Sequence, residues 1–153
     1  MPSIREQLQH DLIASMKARE SKKVAVYRLI FSEIKQREID NLKKELEEQE
    51  VIAVIQKMLK QRQESINHFK TANRQDLVEK EEFEMQILKQ YLPIPASEQE
   101  IADLITETIN KIKNSNTQVS MKNMGEIIKI LRPKLIGRAD MSIVANKVKS
   151  SLS

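Results

Sequence analysis

Cysteine and tryptophan are absent from this chain, and glycine occurs only twice. Without cysteine there is no disulfide framework, no thiolate zinc site and no cysteine nucleophile. Aromatic residues make up 3% of the sequence, so the stacking platforms typical of single-strand RNA binders are missing. No apolar run approaches bilayer-spanning length. The N-terminal stretch MPSIREQLQHDLIASMK carries Glu6 and Asp11 and lacks the apolar core of a secretory signal. These absences lead to the expectation of a soluble, cytoplasmic protein with no membrane partner.

The two glycines, Gly125 and Gly137, fall within one basic stretch, SMKNMGEIIKILRPKLIGRAD. Glycine is costly inside a helix, so two this close together mark places where the backbone turns or something approaches it. Asn110 to the end contains nine basic side chains against two acidic ones, a net of +7, whereas the whole chain is +4. A positive charge gathered at one end points to phosphate-rich partners, nucleic acid first. The alternative is a lysine-rich face that is merely solvated.

Scarce glycine and proline, with abundant Glu, Lys, Gln, Leu and Ile, predict an all-α protein. Ser3 with Glu6 and Ser97 with Glu100 have the capping-box form, and Ser120 and Asp140 can cap following apolar patterns. Seven helices are predicted, near 3–19, 21–43, 47–70, 75–92, 97–113, 120–132 and 140–151. Pro93 and Pro95 end the fourth helix. The predicted organisation is an N-terminal domain of long amphipathic helices (1–92), a proline-containing linker (93–96) and a small three-helix domain (97–153). Pro133 is expected to kink or end the sixth helix near Arg132.

The third helix has an apolar stripe interrupted by Arg62, and the fourth a stripe interrupted by Glu81. If the pair turns near Thr71 and Ala72, Arg62 and Glu81 lie at the same height and form an ion pair. One reading makes this a register-fixing clamp, the other part of a polar site with Lys60, Ser65, Arg74 and Asp76 near the hairpin. Arg74 and Asp76 are assigned to the hairpin turn and the start of the fourth helix.

The block KQRQESINHFKTANRQDLVEKEEFEMQILKQYLP, then MGEIIKILRPKLIGRAD and SIVANKVKSSL, resembles the YqeY family, also called the GatB/YqeY-domain family. Lys60, Arg62, Ser65, Arg74, Asp76, Leu77, Glu81, Tyr91 and Pro93 carry the first part of the resemblance. From about Ser97 onward the chain is also similar to the tail domain of the B subunit of glutamine-dependent Asp-tRNA/Glu-tRNA amidotransferase, through Met124, Gly125, Gly137, Ala139, Val144 and Leu152. The resemblance implies a mainly helical two-domain protein and a connection to tRNA. It also implies an association with carbon–nitrogen ligase activity using glutamine as amido donor.

The residues do not equip the chain for that reaction alone. Releasing ammonia from glutamine calls for an activated nucleophile, and ATP-dependent activation calls for a phosphate cradle. Neither is legible here, so no catalytic residue and no cofactor are assigned. His10 and His68 have no second histidine at helical spacing, and no metal is assigned.

For the terminal module, Lys122, Lys129, Lys134, Arg138 and Lys147 are the candidate phosphate contacts, with Gly125 and Gly137 as permissive backbone positions. Each glycine also has a structural reading: Gly137 as the left-handed end of a helix, Gly125 as a point of close helix packing. The expected function is binding of folded RNA, with tRNA as partner, beside a tRNA-dependent amidotransferase or an aminoacyl-tRNA synthetase. The alternatives are a non-catalytic component of a glutamine-dependent ligase and a helical protein–protein adaptor. A long amphipathic hairpin can pair with itself or stand alone, so the sequence sets no oligomeric state.

Overall fold

The computed structural model describes residues 2–42, 44–115 and 118–152. Among them are seven α-helices and no strand: α1 (Ile4–Lys17), α2 (Ser21–Asp40), α3 (Glu48–Thr71), α4 (Gln75–Lys89), α5 (Glu98–Ser115), α6 (Met124–Leu135) and α7 (Met141–Leu152). A single 3-10 turn, Met121–Asn123, leads into α6. The predicted end of the second helix at residue 43 lies outside the described residues. The chain divides into two compact units, Met1–Leu92 and Pro93–Ser153.

The first unit buries the apolar stripes of α1 to α4 against one another. Leu8, Ile30, Ile34, Val51, Ile55, Met58 and Leu88 form the dry centre of its main cluster. Ser3 starts α1 as a reciprocal capping box with Glu6, which satisfies two otherwise orphaned N–H groups. The connection from α2 to α3 is tied down by Glu38, whose carboxylate accepts from the Leu46 N–H at 3.0 Å and from the Arg5 guanidinium. The Leu46 hydrogen bond, with Arg5 beside it, holds the Glu38 carboxyl below the usual range. The Ile4 N–H donates to Glu48 at 2.8 Å, so the starts of α1 and α3 are held together.

The α3–α4 hairpin corrects the predicted register. α3 runs one residue past its expected end, and the turn centres on Asn73, a non-glycine residue in the left-handed region at φ 55°. Asparagine tolerates this conformation better than most side chains. Arg62 and Glu84 each lie eleven residues from Asn73, and it is these two that pair, with Nε 3.2 Å from Oε2. Glu81 is not the ion-pair partner; it stops one turn short. Both partners are largely buried, at 12% and 15% side-chain exposure. They sit where the main core gives way to the hairpin's own cluster of Ile66, Val78 and Met85. Glu81 remains half-buried beside them, and burial, reinforced by the Glu84 charge, pushes its carboxyl up.

α4 ends at Lys89, and Tyr91 follows in a turn with its ring buried. The Tyr91 hydroxyl donates to the Asp11 carboxylate and lies 2.9 Å from the Tyr27 hydroxyl. The two rings meet edge-on, with centroids 6.2 Å apart. Burial, then the Asp11 contact, raises the Tyr91 hydroxyl above its ordinary pKa.

In the second unit, α5, α6 and α7 enclose a core of Ile101, Ile105, Ile109, Ile112, Ile127, Leu131, Leu135, Val144 and Val148. The Ser97 hydroxyl caps α5 through the Glu100 N–H at 3.1 Å, and Asp140 accepts from the Ser142 N–H at 2.9 Å. Pro133 does not end α6 at Arg132: the helix continues to Leu135. The proline lies in the last turn, so the one intrahelical hydrogen bond it forgoes, to the Lys129 carbonyl, is lost close to the helix end. The Ile136 N–H still reaches the Arg132 carbonyl at 2.9 Å.

Removing one partner of a buried pair leaves an uncompensated charge. Arg62→Ala should therefore cost about 3 kcal/mol in urea unfolding, whereas Arg62→Met with Glu84→Leu should recover most of that loss. An Arg62→Ala variant as stable as the parent would show that the pair contributes nothing. For Glu81 the folded-state pKa is raised, so its stabilising share is full below the unfolded value and is lost as pH rises through the folded one. Glu81→Gln should raise the melting temperature at pH 7, and that gain should vanish in acid; an equal gain at both pH values would contradict this.

Candidate nucleic-acid interface

The basic stretch begins where Ser120 caps the 3-10 turn through the Lys122 N–H at 3.3 Å. From there Lys122, Gly125, Lys129 and Arg132 follow at three- and four-residue steps. All four are exposed, while Ile127, Leu131 and Leu135 turn into the core. Steps of three and four place side chains on one side of a helix. None of these cations forms an ion pair among the described residues, and Glu126 is the only acid on α6. Arg132 is a member of this face that the sequence reading did not single out as a contact. Its signal was available as the i+3 position from Lys129. Lys134 is exposed but lies farther round the helix.

The other predicted contacts are placed differently. Arg138 is occupied: its Nε donates to the Ile94 carbonyl at 2.9 Å and an Nη to Glu100 at 2.8 Å. Its own carbonyl accepts from the Ala96 N–H at 2.8 Å. Arg138 thus fastens the proline segment to the C-terminal unit. Lys147 is half-buried in a groove between α5 and α7, with Ile105, Thr106 and Ile143, apart from the exposed face of α6.

The two glycines part company. Gly137 is buried with φ 75°, which makes it the left-handed residue that lets the chain leave α6. A Cβ built on Gly125 meets nothing within 4 Å, so close helix packing is not its role, and the backbone there is open to solvent.

In the first unit, Arg74 and Asp76 form an exposed two-pronged pair at 3.0 and 3.2 Å at the hairpin turn. Each stabilises the other's charged form, raising the Arg74 pKa and lowering that of Asp76. The cluster of Tyr27, Tyr91 and Asp11 was not found from sequence. Its one legible signal was that the chain's only two tyrosines, both predicted to be helical or next to a helix end, had to place their hydroxyls somewhere.

Residues 5–152 match the family described as Yqey-like protein, and with nearly the whole sequence matched the chain belongs to that family. It is 37% identical over 119 residues to the "Altered inheritance of mitochondria protein 41, mitochondrial" of Lachancea thermotolerans, a match covering 76% of this chain and 63% of that protein. The chain therefore spans less than two thirds of that relative. The protein of the same name from Kluyveromyces lactis is 31% identical over 147 residues, 94% of this chain and 73% of the relative. That from Clavispora lusitaniae is 38% identical over 117 residues, covering 73% and 67%. The expectation of a cytoplasmic protein is corrected by these relatives, whose names place them in mitochondria. The lack of a secretory apolar core at the N-terminus was too weak a signal to decide a compartment.

Gly137→Ala should lower stability by about 1 kcal/mol, because φ is positive there. Gly125→Ala should be neutral or stabilising by up to about 1 kcal/mol, since it removes a glycine from a helix without a clash. Thermal melts of the two variants check this, and equal effects would contradict the assignment.

Proposed function

We propose that this Yqey-like chain is a non-catalytic accessory to tRNA amidation or aminoacylation, and that its C-terminal unit holds folded RNA by the phosphate backbone. The observation that carries the reading is the exposed face of the 3-10 turn and α6, where Lys122, Lys129 and Arg132 flank an open Gly125. Unpaired cations are free to displace the counterions of a nucleic acid. A bare stretch of backbone lets a phosphate come close. The similarity of this unit to an amidotransferase tail domain supports tRNA as the RNA. Recognition would read shape and phosphate spacing, because the unit contains no tryptophan, tyrosine or phenylalanine on which a base could stack.

In this reading the bond-making chemistry belongs to a partner enzyme. A chain without cysteine and without a glycine-rich phosphate loop supplies neither the usual glutaminase nucleophile nor a nucleotide cradle.

One observation favours the adaptor alternative. A groove of about 560 Å³ in the first unit runs between α2 and α4, with Ala25, Val26 and Phe83 among its lining residues. Lys22, Asp76, Glu79, Lys80 and Glu84 rim the same groove, so a partner helix seated there would combine apolar contact with charge pairing and depend less steeply on salt than a phosphate backbone does.

Salt dependence separates the two. Purified protein should bind total tRNA more tightly than a length-matched unstructured RNA, with a steep dependence on salt between about 50 and 200 mM. Replacing Lys122, Lys129 and Arg132 together by Ala should leave the fold intact and lower the slope of log affinity against log salt by roughly 2–3 units. Arg138 is left out of that variant because it fastens the linker. Weak, indiscriminate binding with an unchanged slope would refute the RNA reading.

A further inference from the structure

In the first unit, far from the α6 face in sequence, lies a small polar groove of about 330 Å³ between α1, α2 and the end of α4. Asp11, Ser15, Glu20, Lys23, Tyr27 and Gln90 are among its lining residues. Its central carboxylate is unusually well fixed. The single Tyr91 hydroxyl proton goes to the Asp11 carboxylate. The Tyr27 hydroxyl, 2.9 Å from that of Tyr91, then completes the chain by donating to Tyr91. A buried two-tyrosine relay therefore aims and holds one carboxylate at the groove.

That carboxylate has no lysine or arginine partner among the described residues; its other oxygen lies 3.3 Å from the exposed His10 ring. Lys23 is matched by Glu20 at 3.2 Å. One turn along α1 from Asp11, Ser15 is 6% exposed and lines the groove. Ala18, which caps the C-terminal end of α1, also lines the groove. The helix end contributes partial negative charge there. Fixed carboxylate, serine hydroxyl, helix C-terminus and the Gln90 amide together suit a compact cation with several N–H donors.

We propose that this groove is a binding site for an alkylammonium group, held by the Asp11 carboxylate and the Ser15 hydroxyl. The ammonium comes either from a free amine or from a lysine side chain of a polypeptide; the recognising chemistry is the same. This site is independent of the RNA-binding reading.

The molecule carries its own reporter. It has no tryptophan, and both of its tyrosines belong to the relay, so intrinsic tyrosine emission reads this site alone. Full-length protein is titrated at constant ionic strength with n-butylammonium chloride, and in parallel with tetramethylammonium, sodium and magnesium chlorides. A saturable change with butylammonium, in the roughly millimolar range expected for so small a ligand, and none with the other salts is the expected result. Asp11→Asn should weaken it at least tenfold and Ser15→Ala about threefold, the latter serving if Asp11→Asn does not fold. Tighter binding of Nα-acetyl-lysinamide than of butylammonium would assign the ammonium to a polypeptide, and the reverse order to a free amine. No saturable change, an equal response to tetramethylammonium or magnesium, or affinity unaltered in Ser15→Ala would overturn the proposal.

Discussion

At Asn73 the backbone takes a left-handed step, and the alignment of α3 with α4 is counted from that residue. Sliding the turn by one position would separate Arg62 from Glu84 and leave two largely buried charges without partners, a far larger cost than any single apolar contact. The same alignment determines where α4 ends. It delivers Tyr91 to Asp11 and Tyr27, and so ties the last residues of the first unit to α1 and α2. An ion pair of this kind is weak evidence for stability but a strong constraint on register, and register is what the rest of the first unit inherits.

Each unit has a clamp of its own near the proline segment. Tyr91 anchors the residues before it to the first unit, and Arg138 holds Ile94 and Ala96 within the second. The second clamp consumes a cation that charge counting alone would assign to solvent. In a lysine- and arginine-rich segment, the side chains that remain available are the ones no carboxylate or carbonyl has claimed, and only the tertiary fold separates those from the rest. Lys122, Lys129 and Arg132 meet that condition on one helix face; Arg138 does not.

The all-helical class, the number of helices and the capping serines Ser3 and Ser97 were legible because helix periodicity and caps are local properties, written within a few residues of where they act. Family membership was legible for a related reason, through ordered blocks of residues. The register of the hairpin was misread by three residues because propensity does not say where α3 stops, and an error of that size moves a charge nearly one helical turn. Pro133 was misread because the cost of proline depends on how near the helix end lies, and that end is fixed by Leu135 packing into the core.

The sequence by itself determined the helices, the basic terminal segment and the absence of cysteine chemistry, all of which follow from composition and short-range spacing. Tertiary structure alone decided which polar groups meet. Arg62 with Glu84, Arg138 with Ile94 and Glu100, and Tyr91 with Asp11 and Tyr27 join residues 22 to 80 positions apart. It also decided that Gly125 faces open space while Gly137 turns the chain. Pairings at such separations depend on how helices stack, and stacking is settled by the buried faces of all of them together.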